Sequence, residues 1–553
     1  MSTKLLIDDQ KIDFKKVADI AFRRVKFSSV EISSSCQAKV RKSQAKLFEL
    51  LEKKIPIYGV TTGFGDSSFR VVDASQSELL QANLISYLLC GTGPALPIEA
   101  SRAILMLRLK SLSRGFSGVS LDLLERMKMF LERDWIPVIP REGSLGASGD
   151  LIPLAYVARA LQGEGELWIN GTQTSTAEVL KNADVGTYVL KPKEGLALVN
   201  GTTAMAGLFL FNLNNSRFLA ELACLSTSWL CLALKGRTEA FGVLVNEKAK
   251  AHPGQALTAR AITSLLGDED YQSKPLEQIA IKASQTQEAV QDKYSLRCTP
   301  QVLGPVLDTI EQLREWLELE MNGTSDNPLV DEDGTLAMGG NFYGGYLSQG
   351  MDYLKISLAH VADLVDRQLM TLIDEKSNRG LPANLADWNS IPESERFLHH
   401  GLKGLHQATN AITSEIMARA TPNGIFSRSS ESHNQDKVSL GMSAAVQCSQ
   451  MIEPLFTIQA MYLTCLAQAL DLRKIELKGE RSKFFYKLVR SVVPFVSRDQ
   501  SLGAEIKALA EKLKQLAHER GEMGILYEET RRDHHRRRPG RQHGSSLSRE
   551  SRV

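Results

Sequence analysis

The segment Gly143-Ser144-Leu145-Gly146-Ala147-Ser148-Gly149-Asp150 is the part of this sequence best suited to unusual chemistry. In a strained turn, the nitrogen of Gly149 can attack the carbonyl carbon of Ala147, because glycine has no side chain to obstruct the closure. Loss of two waters, one of them from Ser148, would leave an electrophilic exocyclic methylidene. No standard side chain is comparably electrophilic, so the tripeptide Ala147-Ser148-Gly149 indicates carbon–nitrogen chemistry. The alternative is a flexible turn in which Asp150 caps the following helix.

The motifs of several common enzyme classes are missing from the sequence. There is no GxxxxGK[ST] phosphate loop, no GxGxxG that opens a helix after a strand, and no HExxH zinc motif. Glycine follows Ser148 immediately, so the segment is not the GxSxG turn of hydrolases. The seven cysteines are odd in number and never form CxxC, which favours reduced cysteines in the core. We therefore predict no metal site.

The elements that must position the loop are predicted to be helices. Residues 438–470 contain one charged residue, Glu453, and one proline, Pro454, which predicts a buried, kinked helix of a bundle. A second long helix is indicated by apolar residues three and four apart: Leu354, Leu358, Val361, Val365, Leu369 and Leu372. Further helices are predicted over 99–131, 208–234, 256–266 and 305–321, with a brief strand over 167–170. The fold class is therefore all-α.

Composition and charge restrict the partners. Of 553 residues, 43% are hydrophobic and 24% charged, which is ordinary for a globular protein. Residues 531–553 hold eight arginines, and the rest of the chain has 58 basic and 62 acidic residues. A body so near neutrality has no general attraction to nucleic acid. We interpret the tail as disordered; a basic arm for an anionic surface is the alternative.

The compartment follows from the absence of two kinds of segment. The uninterrupted apolar runs fall short of the roughly 18 to 20 residues that span a bilayer, so we predict no membrane partner. The N-terminus carries Asp8 and Asp9 and lacks a long apolar stretch, unlike a signal peptide. We expect a cytoplasmic protein.

Seven separated motifs resemble those of the histidine and aromatic amino acid ammonia-lyases, in family order, over about residues 15 to 475. The first is the Gly143–Asp150 loop followed by Leu-Ile-Pro-Leu. The others are YGVTTGFG from Tyr58, EGLALVNGT from Glu194, YSLRC from Tyr294, SDNPL from Ser325, GGNF from Gly339 and HNQD from His433. One such motif would be weak evidence, whereas chance is a poor explanation for all seven. The alternative of a helical scaffold that has lost activity is disfavoured because the catalytic motifs are present.

The resemblance assigns catalytic roles. It implies that Ala147, Ser148 and Gly149 form a methylidene-imidazolone prosthetic group autocatalytically, without metal or nucleotide. Asn200 would hydrogen-bond the ring oxygen and stabilise negative charge there. Tyr58 would remove the β-proton, which requires a lowered pKa or alkaline pH, because an unperturbed tyrosine has a pKa near 10. Tyr294 would assist at the prosthetic group and the amino group.

The resemblance also implies a substrate pocket. Arg297 would hold the substrate carboxylate through its two-pronged guanidinium, helped by Asn327. Glu431 would lie near the substrate amine. The remaining members of the expected pocket are Tyr87, Leu88, Phe342, Asn434 and Gln435. Other interpretations exist: Arg297 as an ordinary ion-pair partner and Tyr294 as a core aromatic.

The choice of substrate depends on two positions. The histidine enzymes carry Gln-Glu before the aspartate of the last motif, whereas this chain has Asn434-Gln435, which argues against histidine. Relatives that prefer phenylalanine typically have Phe-Leu, and those that prefer tyrosine often have His-Leu, where this chain has Tyr87-Leu88. The phenol of Tyr87 could pair with a substrate hydroxyl or bond elsewhere. Phenylalanine and tyrosine both stay open, with trans-cinnamate or p-coumarate as product.

The last expectations concern the type of reaction, the assembly and the division of the chain into parts. The family also contains aminomutases, which return ammonia to the β-carbon, but Thr61–Gly65 looks more like the lid of a lyase. The resemblance implies a long-helix bundle of the fumarase/aspartase-like type and a homotetramer whose sites draw on three chains. We expect an N-terminal part over 1–200 with the lid and prosthetic-group loops, a central bundle over 201–475, C-terminal helices over 476–530, and the tail over 531–553.

Overall fold

A computed structural model describes residues 3–279, 281–282, 285–286 and 289–525, and the predicted tail over 531–553 lies outside the described residues. The described chain is mostly helical, which confirms the all-α class. Its α-helices are α1 (Phe14–Ala21), α2 (Ser34–Glu52), α3 (Ser77–Leu88), α4 (Ile98–Leu112), α5 (Leu121–Glu132), α6 (Leu151–Gln162), α7 (Thr176–Asn182), α8 (Glu194–Val199), α9 (Thr203–Leu234), α10 (Pro253–Asp268), α11 (Tyr294–Arg297), α12 (Thr299–Met321), α13 (Gly345–Ile373), α14 (Lys403–Ala418), α15 (Gly441–Leu472), α16 (Glu480–Arg490) and α17 (Gly503–Arg520).

The strands are short and lie mainly in the N-terminal part. They are β1 (Thr3–Ile7), β2 (Phe27–Ile32), β3 (Thr92–Ala95), β4 (Ile136–Pro137), β5 (Pro140–Glu142), β6 (Glu166–Ile169), β7 (Thr172–Ser175), β8 (Ile281–Lys282), β9 (Gln285–Thr286), β10 (Leu329–Val330) and β11 (Leu336–Ala337). β1 and β2 pair in parallel, with Leu5 opposite Val30, and β3 pairs antiparallel with β5. The predicted strand over 167–170 is β6, which pairs with β4 and β7.

Helix α9 is the centre of the bundle. It packs against α4, α12, α13 and α15, and nearly every one of its side chains is buried. A helix that is apolar on all sides needs neighbours all round it, which explains why the long apolar segments α9 and α15 lie side by side. Both are long and apolar enough to cross a membrane, yet 94% and 83% of their most apolar windows are buried inside the protein. They are therefore core helices of the bundle.

Two predicted elements differ from the observed ones. The predicted helix over 99–131 is two helices, α4 and α5, because Gly115 and Gly118 adopt positive φ angles of 78° and 66° between them. The Ser120 hydroxyl then accepts a hydrogen bond from the Leu123 N–H and caps α5. The helix predicted over 438–470 begins only at Gly441, after Leu440 in a left-handed conformation, and continues through Pro454 to Leu472.

The fold brings three chain segments together at the N-terminal end of α9. The Gly143–Asp150 loop lies between β5 and α6, and α8 ends immediately before Asn200 and the start of α9. The segment before α15 reaches the same place, because the N–H and hydroxyl of Ser439 both donate to the carbonyl oxygen of Gly146. One continuous cluster of buried side chains includes members from Leu5 to Ile525. The proposed division at residues 200 and 475 stays a prediction.

Candidate active site

The backbone around Ser148 is held in a conformation that favours glycine. Gly146 and Gly149 have φ angles of +67° and +73°, a region that L-residues with side chains rarely adopt. Gly149 lies beside Gly201 in a parallel bridge, and a Cβ on Gly149 would lie 2.2 Å from the carbonyl oxygen of Gly201. That oxygen accepts from the Asp150 N–H at 2.8 Å. The third residue of the tripeptide must therefore be glycine for steric as well as conformational reasons.

Asn200 donates directly to the tripeptide. Its Nδ2 lies 2.6 Å from the carbonyl oxygen of Ser148, and the side chain is buried at the end of α8. Closure of Gly149 N onto Ala147 C would place the Ser148 carbonyl in the ring, so this oxygen is the one that the ring would keep. The expected partner of the ring oxygen is thus in contact with the correct atom before any ring exists.

A left-handed turn brings Glu431 and Gln435 to the site. Glu431, Ser432 and His433 have φ angles of 50°, 51° and 67°, and a bridge between Ser430 and Gln435 closes the turn. Gln435 Nε2 donates to the hydroxyl of Ser148 at 3.3 Å. The structure therefore brings the late motif and the tripeptide together, as expected.

The carboxylate of Glu431 faces the lid segment. It lies so close to Gly65 that a Cβ there would clash with it. The Nδ2 of Asn434 donates to Glu431 Oε2 at 3.0 Å, which fixes the carboxylate from the other side. Asn434 itself is exposed and contacts Glu431 rather than the tripeptide.

Tyr58 is oriented by the same lid segment. Its hydroxyl accepts from the Gly65 N–H at 2.8 Å, and its ring meets the edge of Phe64 with centroids 6.4 Å apart. Burial raises the pKa of Tyr58, the Gly65 N–H partly opposes this, and the negative charge of Glu431 adds to the rise. Of the two expected routes, a lowered pKa or alkaline pH, the described residues do not supply the first, because the lid provides one hydrogen bond and no cation.

Tyr87 lies near the end of helix α3 and Leu88 ends it; α3 packs against α6, the helix that follows the loop, and against α8. Leu88 is buried, whereas the ring of Tyr87 is 60% exposed. Partial burial raises the pKa of Tyr87 to about 12, and the charges of Glu431 and Tyr58 contribute to the same effect. Tyr87 therefore faces the same space as Tyr58 and Glu431.

Asn327 and Phe342 lie on loops near the start of α9. The Oδ1 of Asn327 accepts from the Gly339 N–H at 2.7 Å, which joins two of the expected motifs. Phe342 is half-buried in a short turn that ends at Gly344, and Gly344 packs against Met205 and Thr202 of the α9 start. Both residues are thus at the expected end of the bundle.

Tyr294 and Arg297 lie at the opposite end of α9. They form α11, whose Leu296 packs against Gly236 just after α9 ends, whereas Asp150 contacts the N–H of Met205 near its start. The stretch of α9 from Met205 to Cys231 spans about 40 Å at 1.5 Å per residue. One chain therefore does not bring Arg297 to its own Ser148.

The surroundings of Tyr294 and Arg297 argue against purely structural roles. Tyr294 is 72% exposed and so is not a core aromatic of this chain. The guanidinium of Arg297 lies over the Tyr294 ring at 4.5 Å, and no carboxylate among the described residues forms an ion pair with it. Its Nε is buried without a hydrogen-bond partner in the described chain. Both side chains are available to a neighbouring chain.

The structure adds one residue that the motifs did not indicate, Gln81, and gives Asp150 a contact different from the expected helix cap. Gln81 donates to the Gly59 carbonyl and accepts from the Leu196 N–H, so it links the lid to α8. Asp150 does not cap its own helix through its side chain; its carboxylate accepts from the Met205 N–H at 2.7 Å and the Ser144 hydroxyl at 3.0 Å. Burial raises the pKa of Asp150 to about 7. A polar residue within the apolar pattern of α3 was the available signal for Gln81.

The arrangement has no metal centre among the described residues, which contain no group of three or more His, Cys, Asp or Glu side chains able to hold a metal ion. A bundle of long helices with a glycine-rich loop at the start of its central helix defines a helical carbon–nitrogen lyase of the fumarase-like fold. The chain belongs to the aromatic amino acid lyase family, whose model matches residues 12–491.

Relatives with different printed activities match over most of the chain. The histidine ammonia-lyase of Symbiobacterium thermophilum is 35% identical over 477 residues, which cover 85% of this chain and 90% of that protein. The tyrosine ammonia-lyase of Cupriavidus metallidurans is 35% identical over 487 residues, with 86% and 90% covered. The structure of the Pantoea agglomerans phenylalanine aminomutase superposes with a TM-score of 0.86 at 30% identity, covering 93% of this chain and all of that one. The predicted family is confirmed, and its members differ in substrate.

Proposed function

We propose that this enzyme eliminates ammonia from an aromatic L-amino acid, L-phenylalanine or L-tyrosine, to give trans-cinnamate or p-coumarate in the cytoplasm. The hydrogen bond from Asn200 to the Ser148 carbonyl oxygen, beside a Gly149 held at positive φ, is the observation that carries the proposal. It places a donor on the oxygen that would gain negative charge when an amine adds. No other described part of the chain combines a strained Ala-Ser-Gly turn with such a donor.

The residues present fit a methylidene-imidazolone group formed from Ala147, Ser148 and Gly149. Gly149 has the conformation and the space that closure requires, and the Ser148 hydroxyl accepts from Gln435 Nε2, which would assist its departure as water. Once formed, the group supplies an electrophilic carbon for the substrate amine. Its formation removes the mass of two waters from the chain. The first water carries away the Ala147 carbonyl oxygen, and the second carries away the Ser148 hydroxyl.

The chain's own residues would handle the protons. Tyr58 stands between the Gly65 N–H and the Glu431 carboxylate, so its hydroxyl is positioned at the lid, where the β-carbon of a bound substrate would lie. Glu431 would accept a hydrogen bond from the substrate amine. Asn200 would keep its hydrogen bond to the Ser148 oxygen throughout, and the buried surroundings of that pair strengthen it.

The carboxylate of the substrate requires a second chain. Arg297 and Tyr294 lie about 40 Å from Ser148 along α9, so in the homotetramer implied by the family a neighbouring chain would supply them. No described residue bonds to the Nε of Arg297, and its planar guanidinium suits a carboxylate. Asn327 would support the same carboxylate from the chain that holds Ser148.

A second candidate function is an aromatic 2,3-aminomutase. The observation that favours it is the close superposition on the tyrosine aminomutase of Streptomyces globisporus, with a TM-score of 0.85 at 31% identity. Histidine is a further possible substrate, because histidine ammonia-lyases are as similar to this chain as tyrosine ammonia-lyases are. We keep the aromatic lyase first, since Asn434 and Gln435 are neutral where the histidine enzymes have a carboxylate before the aspartate.

One assay separates these activities. The purified protein is incubated with L-Phe, L-Tyr and L-His, arylacrylate absorbance is recorded, and β-amino acids are sought by chromatography. We expect an arylacrylate from Phe or Tyr and no urocanate from His. A dominant β-amino acid would establish the mutase instead, and urocanate alone would contradict the proposed substrate.

Ser148→Ala tests the prosthetic group. Alanine cannot lose the second water, so we expect turnover to fall by at least about a thousandfold and the full two-water mass loss to disappear. The deletion of one partly buried oxygen should leave the circular dichroism spectrum and Tm near those of the unchanged protein. Wild-type turnover by Ser148→Ala would rule out the assigned tripeptide.

A further inference from the structure

Arg108 is a buried cation that the proposed reaction does not yet use. It lies on α4 with its side chain completely inside the protein. Its Nη2 donates to the carbonyl oxygen of Ala197 and, at 3.2 Å, to that of Asn200, while Nη1 reaches the Ser325 hydroxyl at 3.5 Å. The guanidinium thus occupies the C-terminal end of α8, where unpaired carbonyl groups attract a cation.

The same guanidinium lies directly behind the tripeptide. A Cβ on Gly201 would be 2.1 Å from Arg108 Nη1, so the guanidinium occupies the space that a side chain at Gly201 would need. Gly201 in turn bridges Gly149 and accepts from the Asp150 N–H. Gly201 therefore contacts Arg108 as well as Gly149. Asn200, the residue before Gly201, donates to the Ser148 carbonyl oxygen.

Arg108 forms no ion pair with the described residues, although two acidic residues lie in its surroundings. Asp326 is the acidic residue whose charge acts most strongly on Arg108, but its carboxylate already accepts from Lys193 Nζ at 2.7 Å. Asp150 also acts on Arg108 through space, yet its carboxylate is bound to the Met205 N–H and the Ser144 hydroxyl. Among the described residues, no carboxylate lies within ion-pair distance of Arg108.

The burial of an arginine charge without a carboxylate is costly unless dipoles compensate for it. Burial lowers the pKa of Arg108 to about 10, with Asp326 and Asp150 opposing the change, so the side chain stays charged at neutral pH. Two carbonyl dipoles and a serine hydroxyl surround it. A methionine would avoid this cost but would leave the Ala197 and Asn200 carbonyls without the donor, so what the arginine provides is a charged group fixed to the end of α8.

We propose that Arg108 is a positioning residue for the prosthetic group: it holds Asn200 and Gly201 against Ser148 and Gly149 and adds a buried positive charge behind the Ser148 oxygen. This inference rests on the proposed function. It has two consequences. Ring closure should depend on Arg108, because the guanidinium fixes the backbone against which Gly149 packs. Turnover should also depend on it, because negative charge on the ring oxygen develops toward this cation.

The test compares Arg108→Met and Arg108→Lys with a matched control, Arg102→Met. Arg102 lies on the same helix, is also buried, and donates to the Ala21 carbonyl and to Asp134 rather than to α8 or the residues after it. Intact mass is followed after synthesis to give the rate of the two-water loss, and kcat and KM are measured on the fraction that has lost both waters. Thermal unfolding is recorded for each protein.

For Arg108→Met we expect ring closure about tenfold slower and a kcat reduced about 10- to 100-fold, with KM changed less than about threefold. Arg108→Lys keeps the charge but reaches fewer carbonyls, so its closure rate and kcat should fall between those of Arg108→Met and the unchanged protein. Arg102→Met should lose stability while its mass loss and kcat stay normal.

The outcomes distinguish failure of the proposed function from failure of the positioning role of Arg108. Absence of the mass loss in the unchanged protein would reject the proposed function itself. Normal closure and kcat in Arg108→Met would reject only the positioning role. If Arg108→Met does not fold, Arg108→Lys decides: intermediate values support the role, and values equal to those of the unchanged protein overturn it.

Discussion

At the scale of single residues, the Ser148 carbonyl oxygen is the atom around which the site is organised. It accepts from the side-chain amide of Asn200, and Arg108 donates to the backbone carbonyl oxygen of the same residue, so the guanidinium helps to hold the residue that contacts the tripeptide. The hydrogen bond from Asn200 to Ser148 is buried, and a buried hydrogen bond is stronger than one in water because the surroundings screen it weakly. The site is therefore prepared for negative charge on this oxygen before substrate arrives.

The pH dependence of turnover follows from Tyr58. Burial and Glu431 raise its pKa above the usual value near 10, so the phenolate is scarce at neutral pH and its fraction grows about tenfold per pH unit below the pKa. We expect kcat/KM to rise across pH 7 to 9 without a plateau. A plateau that begins near pH 7 would mean that a neighbouring chain lowers this pKa in the assembly.

The matched variant for this profile is Tyr58→Phe. It keeps the ring that packs against Phe64 and loses only the hydroxyl that accepts from Gly65. The pH-dependent rise in kcat/KM should disappear together with most of the activity, roughly a hundredfold or more, while Tm changes little. A retained rise would assign the base to another group.

Tyr87 tests the substrate preference at the same scale. If its hydroxyl faces the para position of the substrate, Tyr87→Phe should shift the ratio of kcat/KM toward phenylalanine by about two- to tenfold, which is the worth of one hydrogen bond. Tyr87→His should shift it toward tyrosine, because imidazole can still pair with a phenol. A constant ratio in both variants would mean that Tyr87 does not contact the ring.

At the scale of elements, the contact between α4 and α9 positions both Arg108 and Asn200. The two helices approach closely at Gly207, where a Cβ would lie 2.5 Å from Ile104 Cγ1 and 3.0 Å from the backbone at Ala100 and Ile104. Since backbone atoms cannot move aside as a side chain can, Gly207→Ala should lower the free energy of unfolding by about 1 to 3 kcal/mol. Urea unfolding at fixed protein concentration measures the change.

Gly404→Ala is the control for Gly207→Ala. Gly404 lies on α14, where a Cβ would meet nothing within 4 Å, and alanine favours a helix over glycine. Its free energy of unfolding should stay constant or rise by up to about 1 kcal/mol. Equal losses in both variants would show that the close approach of α4 and α9 is not what Gly207 provides.

The elements that the sequence predicts well are those whose pattern is long and regular. The spacing of apolar residues identifies α13, and the lack of charge identifies α15, because both depend on burial alone. The break between α4 and α5 was missed, since Gly115 and Gly118 lie in an otherwise continuous helical pattern. The link from Gln81 to the lid and the contacts of Arg108 also escaped prediction, because a buried polar residue in a helix does not reveal its distant partner.

At the scale of the whole molecule, the length of α9 decides how many chains an active site needs. The motifs identify the family from its residue types. Their order in the sequence does not reveal that the YSLRC motif and the Ala-Ser-Gly loop lie at opposite ends of α9, which is about 48 Å long. Only the fold shows that separation. If Arg297 serves the site at Ser148, as we propose, that site needs at least two chains, with a second one supplying α11.

This requirement predicts that two inactive variants restore activity together. Ser148→Ala retains Arg297, and Arg297→Gln retains Ser148, so in a randomly mixed oligomer about one quarter of the sites would combine an intact Ser148 from one chain with an intact Arg297 from another. We expect the co-expressed, doubly tagged protein to recover about a quarter of the unmixed activity, whereas the two proteins combined after folding should recover none until subunits exchange. If both residues served a site within one chain, the mixed oligomer would contain no intact site, and its activity would stay at the level of the separate variants.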